Sequence, residues 1–350
     1  MGTLHTAKDI HSFAKNPSAA GGTLMTPTDL KRTLESLWNT RWPAFIWGPP
    51  GVGKSSLVTQ LARDRGMPLV DIRAPLLDPT DLRGIPAVVG DRAEWFPPSF
   101  LPRAGAPAGV LFFDELNAAP PIVQASLYQL ILDRRIGEYQ LPDGWIIVAA
   151  GNREEDRSVV FRMPDALANR FVHLEFDANF DDWRAWAVSR QLHPNIIAFL
   201  SVRRELLHKP NDSRAFPTPR SWEMVADILD AFPSLTAAEE AIAGTVGVGA
   251  AIEFASFTRD AIAAEEIAAI IAQPERAKLP SKISSLYVLV NHMTRRSAEE
   301  PIRTACGQLL TRLPIEFATL LAKDLLRSFP LFVKDANFKE FVIANREAFR

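Results

Sequence analysis

The sequence predicts an α/β chain: a parallel sheet with helices on both faces, followed by an all-helical second half. Three observations predict it. From Pro27 to about Phe176, short apolar runs alternate with amphipathic helical stretches, each run ends near a Gly, an acid or a polar residue, and strand signals stop after Asp177. The strand-like runs are Ala44–Trp47, Leu69–Ile72, Val110–Phe113, Trp145–Ala150 and Phe171–Phe176. The helical stretches that follow are Asp181–Gln191, Asn195–His208, Ser221–Phe232, Ala237–Ala263, Ser281–Arg296 and Pro314–Phe329. Gly244, Gly247 and Gly249 interrupt the long Ala-rich stretch, and Pro274 and Pro280 bracket a loop. The expected organisation is a flexible N-terminal tail (1–26), an αβα core (27–178), a first helical segment (179–235) and a helical C-terminal region (236–350).

Composition narrows the function classes. A chain of 350 residues that is 47% hydrophobic and 23% charged is an ordinary globular protein with room for more than one domain. No apolar run approaches the ~18 residues of a membrane span, and Met1 to Thr26 lacks the apolar segment of a signal peptide, so a cytoplasmic location is expected. Cys306 is the only cysteine, which excludes an intrachain disulfide and a Cys-cluster zinc site. With 39 basic and 41 acidic side chains interspersed, the charge gives no bulk reason to bind nucleic acid. The six histidines are scattered and form no His-Glu-x-x-His. Trp183, Trp186 and Trp222 fall at helical spacing, as core residues do.

The chemistry concentrates in the first half. Gly48-Pro49-Pro50-Gly51-Val52-Gly53-Lys54-Ser55 follows the first strand and opens a helix that carries Leu57, the context in which a Gly-rich loop cradles phosphates. Glycines turn backbone N–H groups inward, the helix N-terminus adds positive potential, Lys54 reaches the outer phosphates and the Ser55 hydroxyl ligates Mg2+. Val110–Phe113 then ends in Asp114-Glu115, placing one acid to hold the metal and the next to polarise a water. Trp145–Ala150 ends in Gly151-Asn152, where Asn152 could orient a water or the terminal phosphate or simply stand in a turn. Arg170 precedes the fifth strand and Arg220 follows Pro219 at a helix start. Each is either a surface arginine or one that reaches a nucleotide.

This order of motifs resembles the AAA+ ATPases, and among them the MoxR family, over about residues 27–225. The most specific pieces are Asp114-Glu115-Leu116-Asn117-Ala118-Ala119-Pro120-Pro121 and Asn169-Arg170-Phe171. The resemblance implies ATP and Mg2+ as cofactors, Lys54 and Ser55 in Walker A, Asp114 and Glu115 in Walker B, Asn152 as sensor 1, Arg170 as arginine finger and Arg220 as sensor 2. It also implies that residues 179–235 form a lid. It further implies a ring homo-oligomer, six-membered, that remodels or matures a client protein together with a separate von Willebrand factor A domain protein. Ala118 and Gly151-Asn152-Arg153 depart from the family pattern and mark a divergent branch. Arg153, Arg157 and Arg162 crowd the same region and leave the finger open.

Two hairpins are expected. Ile85–Phe96 carries a Gly90-Asp91 turn, and Arg135–Gly144 precedes the Asn152 strand. In ring-shaped relatives such hairpins face the pore, and the alternative is that they pack on the sheet edge. Two other functional readings stay open from sequence: a nucleic-acid-coupled motor, and a nucleotide-gated scaffold with negligible turnover.

Overall fold

The computed structural model describes residues 24–156 and 160–349. It divides into two units, one through Ala178 and one from Asn179.

Among the described residues of the first unit, nine strands form: β1 (Ala44–Trp47), β2 (Leu69–Arg73), β3 (Ile85–Val89), β4 (Arg92–Phe96), β5 (Val110–Asp114), β6 (Arg135–Ile136), β7 (Tyr139–Gln140), β8 (Ile146–Gly151) and β9 (Val172–Glu175). Five of them make one parallel sheet in the order β2-β5-β8-β1-β9. The interior strands β5 and β8 are buried at every position, which is why they read as unbroken apolar runs rather than alternating ones.

Successive residues still point to opposite faces. Phe45, Leu111, Phe113, Ile147 and Ala149 pack one way, against Val123, Leu127 and Leu130 of α4 (Pro121–Asp133). Ala44, Ile46, Phe112, Val148 and Ala150 pack the other way. They meet Leu30 and Leu34 of α1 (Pro27–Leu37) and Val58 and Leu61 of α2 (Lys54–Asp64). Each fully buried Phe contributes about 1.5–3 kcal/mol of apolar burial, and this three-layer packing holds the strand ends rigidly side by side. Two short helices complete the unit, α3 (Pro79–Arg83) and α5 (Asp165–Ala168).

Residues 1–23 of the expected tail lie outside the described residues. Met25, assigned to that tail from sequence, donates its N–H to the Glu175 carbonyl and bridges in parallel to Phe176, and Thr26 caps α1 by accepting from the Asp29 N–H.

The hairpins behave differently from each other. Every residue of β3 and β4 is exposed, including Val88 and Trp95, so this hairpin does not pack on the sheet of its unit. In the second hairpin Ile136 is buried in the core and the Tyr139 hydroxyl donates to the Pro102 carbonyl at 2.9 Å. Burial pushes the Tyr139 phenol up to about 12.

The second unit is helical: α6 (Phe180–Ser189), α7 (Pro194–Val202), α8 (Pro219–Ala231), α9 (Leu235–Val246), α10 (Val248–Asp260), α11 (Ala264–Ala272), α12 (Ile283–Arg295), α13 (Glu300–Leu309), α14 (Ile315–Ser328) and α15 (Ala336–Ala344). The helical stretch Ala237–Ala263 forms two helices that meet at Gly247, one of the three glycines expected to interrupt it; Gly244 and Gly249 lie within α9 and α10. Helices α11, α13 and α15 lie outside the stretches that periodicity picked out. Trp222, Phe199 and Phe254 form a buried aromatic cluster, and the Trp222 indole donates to the Leu206 carbonyl. Cys306 is fully buried, which pushes its thiol up to about 12. No described helix is long and apolar enough to cross a membrane.

Candidate functional site

The parallel register gathers the sequence's polar residues at one edge of the sheet. Trp47 pairs with Gly151 and Arg73 with Asp114, so the carboxyl ends of β1, β8, β2 and β5 are adjacent. Ligands bind at such an edge in open parallel sheets.

The loop from Gly48 to Gly53 turns directly from β1 into α2. Gly53 sits at φ +102°, a conformation that residues with a Cβ avoid, and nothing lies within 4 Å of where a Cβ would be. No side chain caps α2, so its first-turn N–H groups are left without a side-chain acceptor, as an anion cradle needs. Pro50 and Gly51 lie in the same turn, and Val52 is buried in the core. Leu57, grouped with the loop from sequence, donates its N–H to the Gly53 carbonyl and packs its side chain against that core.

Lys54 is 8% exposed, and its ammonium donates to the carbonyls of Gly48 (2.5 Å) and Pro49 (3.0 Å) and to Asn152 Oδ1 (2.8 Å). Burial lowers its pKa to about 8, partly opposed by Asp114. Ser55 Oγ donates to Asp114 Oδ2 at 2.7 Å. Asp114 is buried at the end of β5, whereas Glu115 takes a left-handed backbone (φ 56°) that turns its half-exposed carboxylate away from the strand. A hydroxyl and a carboxylate in contact form an oxygen donor pair suited to Mg2+, and the cradle, the buried cation and this pair together fit a nucleotide.

Three residues in this cluster were not singled out from sequence. Arg73 Nη1 lies 3.5 Å from Asp114 and 3.8 Å from Glu115, bridging both acids. Asn117 Nδ2 donates to the Asn152 carbonyl at 2.7 Å, and the close approach requires Gly151, whose Cβ would come 2.1 Å from Asn117 Oδ1. Asp71 is pushed up by burial and by Asp114, with Arg73 opposing. The available signal was a charged or amide residue closing an apolar run or following an acid. Only the register shows what each one meets.

The arginines separate clearly. Arg153 is tied within the unit, to Glu175 at 2.8 Å and to the Phe176 carbonyl. Arg162 pairs at the surface with Asp165, and Arg157 lies outside the described residues. Arg170, between α5 and β9, is exposed and forms no side-chain hydrogen bond or ion pair with the described residues. Arg220 is exposed in the first turn of α8, in the helical unit.

Comparison with known proteins follows the same lines. The family profile described as AAA domain (dynein-related subfamily) matches residues 43–171. The MoxR protein of Paracoccus denitrificans is 31% identical over 208 residues, covering 57% of this chain and 61% of the relative. The denitrification regulatory protein NirQ of Stutzerimonas stutzeri is 27% identical over 155 residues, covering 42% of this chain and 56% of the relative. The chain therefore spans a little under two thirds of the length of these relatives. NtrX from Brucella abortus, a solved structure, aligns over 87% of this chain and 69% of its own at 16% identity and a TM-score of 0.41. Residues 43–171 thus match an AAA domain, and the chain is similar, as a divergent relative, to the MoxR-type AAA+ ATPases.

Proposed function

We propose that the protein hydrolyses Mg-ATP at interfaces between copies of itself and uses the cycle to remodel or mature a partner protein. One observation carries this reading: Lys54–Asn152 and Ser55–Asp114, at 2.8 and 2.7 Å, join the Gly-rich loop to the ends of two buried strands. In this reading the backbone of Gly48–Ser55 and the Lys54 ammonium hold the phosphates. Ser55 and Asp114 hold Mg2+, which neutralises charge on the phosphate oxygens. The exposed carboxylate of Glu115 takes the proton of the attacking water, and Asn152 orients that water. Arg73 is a positioning residue, fixing the two acids relative to each other. Arg170 serves a neighbouring subunit's site as the finger, a role supported by its exposure and its lack of a partner among the described residues, and Arg220 serves from the helical unit as sensor 2.

Likeness to MoxR-type relatives supports the rest: a ring, six-membered by that likeness, a separate von Willebrand factor A domain partner, a protein client and a cytoplasmic setting. Residues 27–178 are the core, 179–235 the lid and 236–350 a region for oligomer or partner contacts. The test is a pair of variants. Lys54→Ala should lose nucleotide binding, while Glu115→Gln should keep it and lose turnover, because it retains shape and removes the base. Wild-type turnover in the Gln variant would overturn the assignment.

A further inference from the structure

His173 lies beside the nucleotide site and has both ring nitrogens engaged. It stands on β9 opposite Phe45 of β1. Side chains alternate along a strand, so His173 shares one face of the sheet with Phe171, Phe45 and Trp47, and its ring packs among theirs. Nδ1 accepts from the Trp47 indole N–H at 2.8 Å, and Nε2 lies 2.8 Å from the Ala168 carbonyl oxygen. An indole N–H can only donate and a carbonyl can only accept. The two partners therefore fix the neutral tautomer, with the proton on Nε2 donated to Ala168.

The two ends of this bracket belong to different parts of the site. Trp47 is the last residue of β1, and Gly48, which follows it, opens the Gly-rich loop. Ala168 is the last residue of α5, and its carbonyl also accepts from the Phe171 N–H at 3.1 Å, closing the tight turn Ala168-Asn169-Arg170-Phe171. The Arg170 N–H donates one residue further back, to the Leu167 carbonyl at 3.1 Å. The Arg170 side chain is exposed and forms no hydrogen bond or ion pair with the described residues, so the turn is what aims it. A helix of four residues with no side-chain cap holds such a turn weakly. The His173 bracket ties it to the parallel sheet.

We propose that His173 is a positioning residue for the neighbouring subunit's reaction: anchored on Trp47, it braces the Ala168–Phe171 turn and so aims Arg170 across the interface. The proposal rests on the reading of Arg170 as the finger. Because its anchor adjoins the phosphate loop of its own subunit, His173 has a rival role in cis, steadying that loop. The two roles differ in which subunit's turnover they control.

The test combines steady-state ATPase with subunit mixing. His173→Phe keeps a ring among the aromatic side chains and removes both bonds. It should lower kcat about 10- to 100-fold through misplacement of the arginine, with KM for ATP hardly changed because the chain's own phosphate loop is intact. His173→Gln places an amide N–H near the position of Nε2 and should restore most of the turnover. Combined with Arg170→Ala, His173→Phe should add no further loss, as expected of a residue that acts through Arg170. Mixed with Lys54→Ala under subunit exchange, His173→Phe should give activity above the sum of the two, because the Lys54→Ala chain supplies a braced Arg170 to an intact phosphate loop. Should His173→Phe fail to fold, Trp47→Phe, which removes the indole donor and keeps a ring, carries the same comparisons. A raised KM at wild-type kcat, wild-type turnover in both variants, or no rescue where a parallel mixture of Arg170→Ala with Lys54→Ala is rescued would overturn the proposal while leaving the finger reading intact. If that parallel mixture also stays inactive although labelled subunits exchange, the finger reading falls and the proposal falls with it.

Discussion

Removing the Asn117 side chain is the most informative single perturbation of the site. The Asn117 side chain makes no hydrogen bond to the Gly-rich loop or the acids, yet it donates at 2.7 Å to the backbone of Asn152, whose side chain accepts from Lys54 at 2.8 Å. Asn117→Ala strands the Asn152 carbonyl, at a cost of about 1–2 kcal/mol for a half-buried group. For a unit of this size that lowers the melting temperature by roughly 2–8 °C. The larger effect should be on turnover. With its backbone released, Asn152 no longer holds its amide in place, and loss of ~1.5–3 kcal/mol of transition-state positioning slows hydrolysis about 10- to 100-fold. Nucleotide affinity should change little, because Lys54 keeps its carbonyl partners. The assay is steady-state ATPase on Asn117→Ala, Asn152→Ala and the double variant. If Asn117 acts through Asn152, the double variant is hardly slower than Asn152→Ala. Strict additivity, within about 0.3–0.5 kcal/mol, would refute the relay.

Other consequences can be checked separately. His193, the N-cap of α7, has its pKa pressed down to about 4 by burial and then by Arg295. The unfolded chain therefore takes up the proton first as pH falls from about 6.5 towards 4, and stability drops by about 2–3 kcal/mol across that window. His193→Asn keeps a capping acceptor, and urea titrations at pH 7 and pH 4.5 should show a smaller drop for it. An equal drop would count against the assignment. In the first hairpin, Val88→Ser with Val89→Ser should shift stability by less than ~0.5 kcal/mol and leave basal ATPase within about twofold, while abolishing stimulation by a client. Tyr139→Ser, by contrast, should lower the melting temperature, because it removes the bond to Pro102. A melting temperature equal to wild type would contradict that contact.

What sequence made legible was whatever depends on neighbours along the chain. Gly48–Ser55 declares itself because its glycines, lysine and serine are consecutive, and β5 and β8 because strands buried on both faces are unbroken apolar runs. Arg73 and Asn117 were not legible as partners of the site. Their meaning comes from register, Arg73 beside Asp114 and Asn117 against Asn152, and no local pattern encodes such pairings. The competing arginines were equivalent on paper. The structure distinguishes them, since Arg153 pairs with Glu175 whereas Arg170 forms no ion pair with the described residues. In the helical half, α11, α13 and α15 escaped the periodicity although α6 and α7 are no longer, whereas the break at Gly247 was marked by its glycine.

A site shared between subunits can be tested by mixing two dead variants. Lys54→Ala lacks the cation that holds the phosphates, and Arg170→Ala lacks the residue offered to the neighbour, so each alone should fall about a thousandfold or more in turnover. Allowed to exchange subunits, they form interfaces where an intact Lys54 meets an intact Arg170. The predicted result is ATPase activity well above the sum of the two variants, passing through a maximum at intermediate mixing ratios. If labelled subunits show exchange and no ratio exceeds that sum, the assignment of Arg170 as a finger acting across the interface is contradicted.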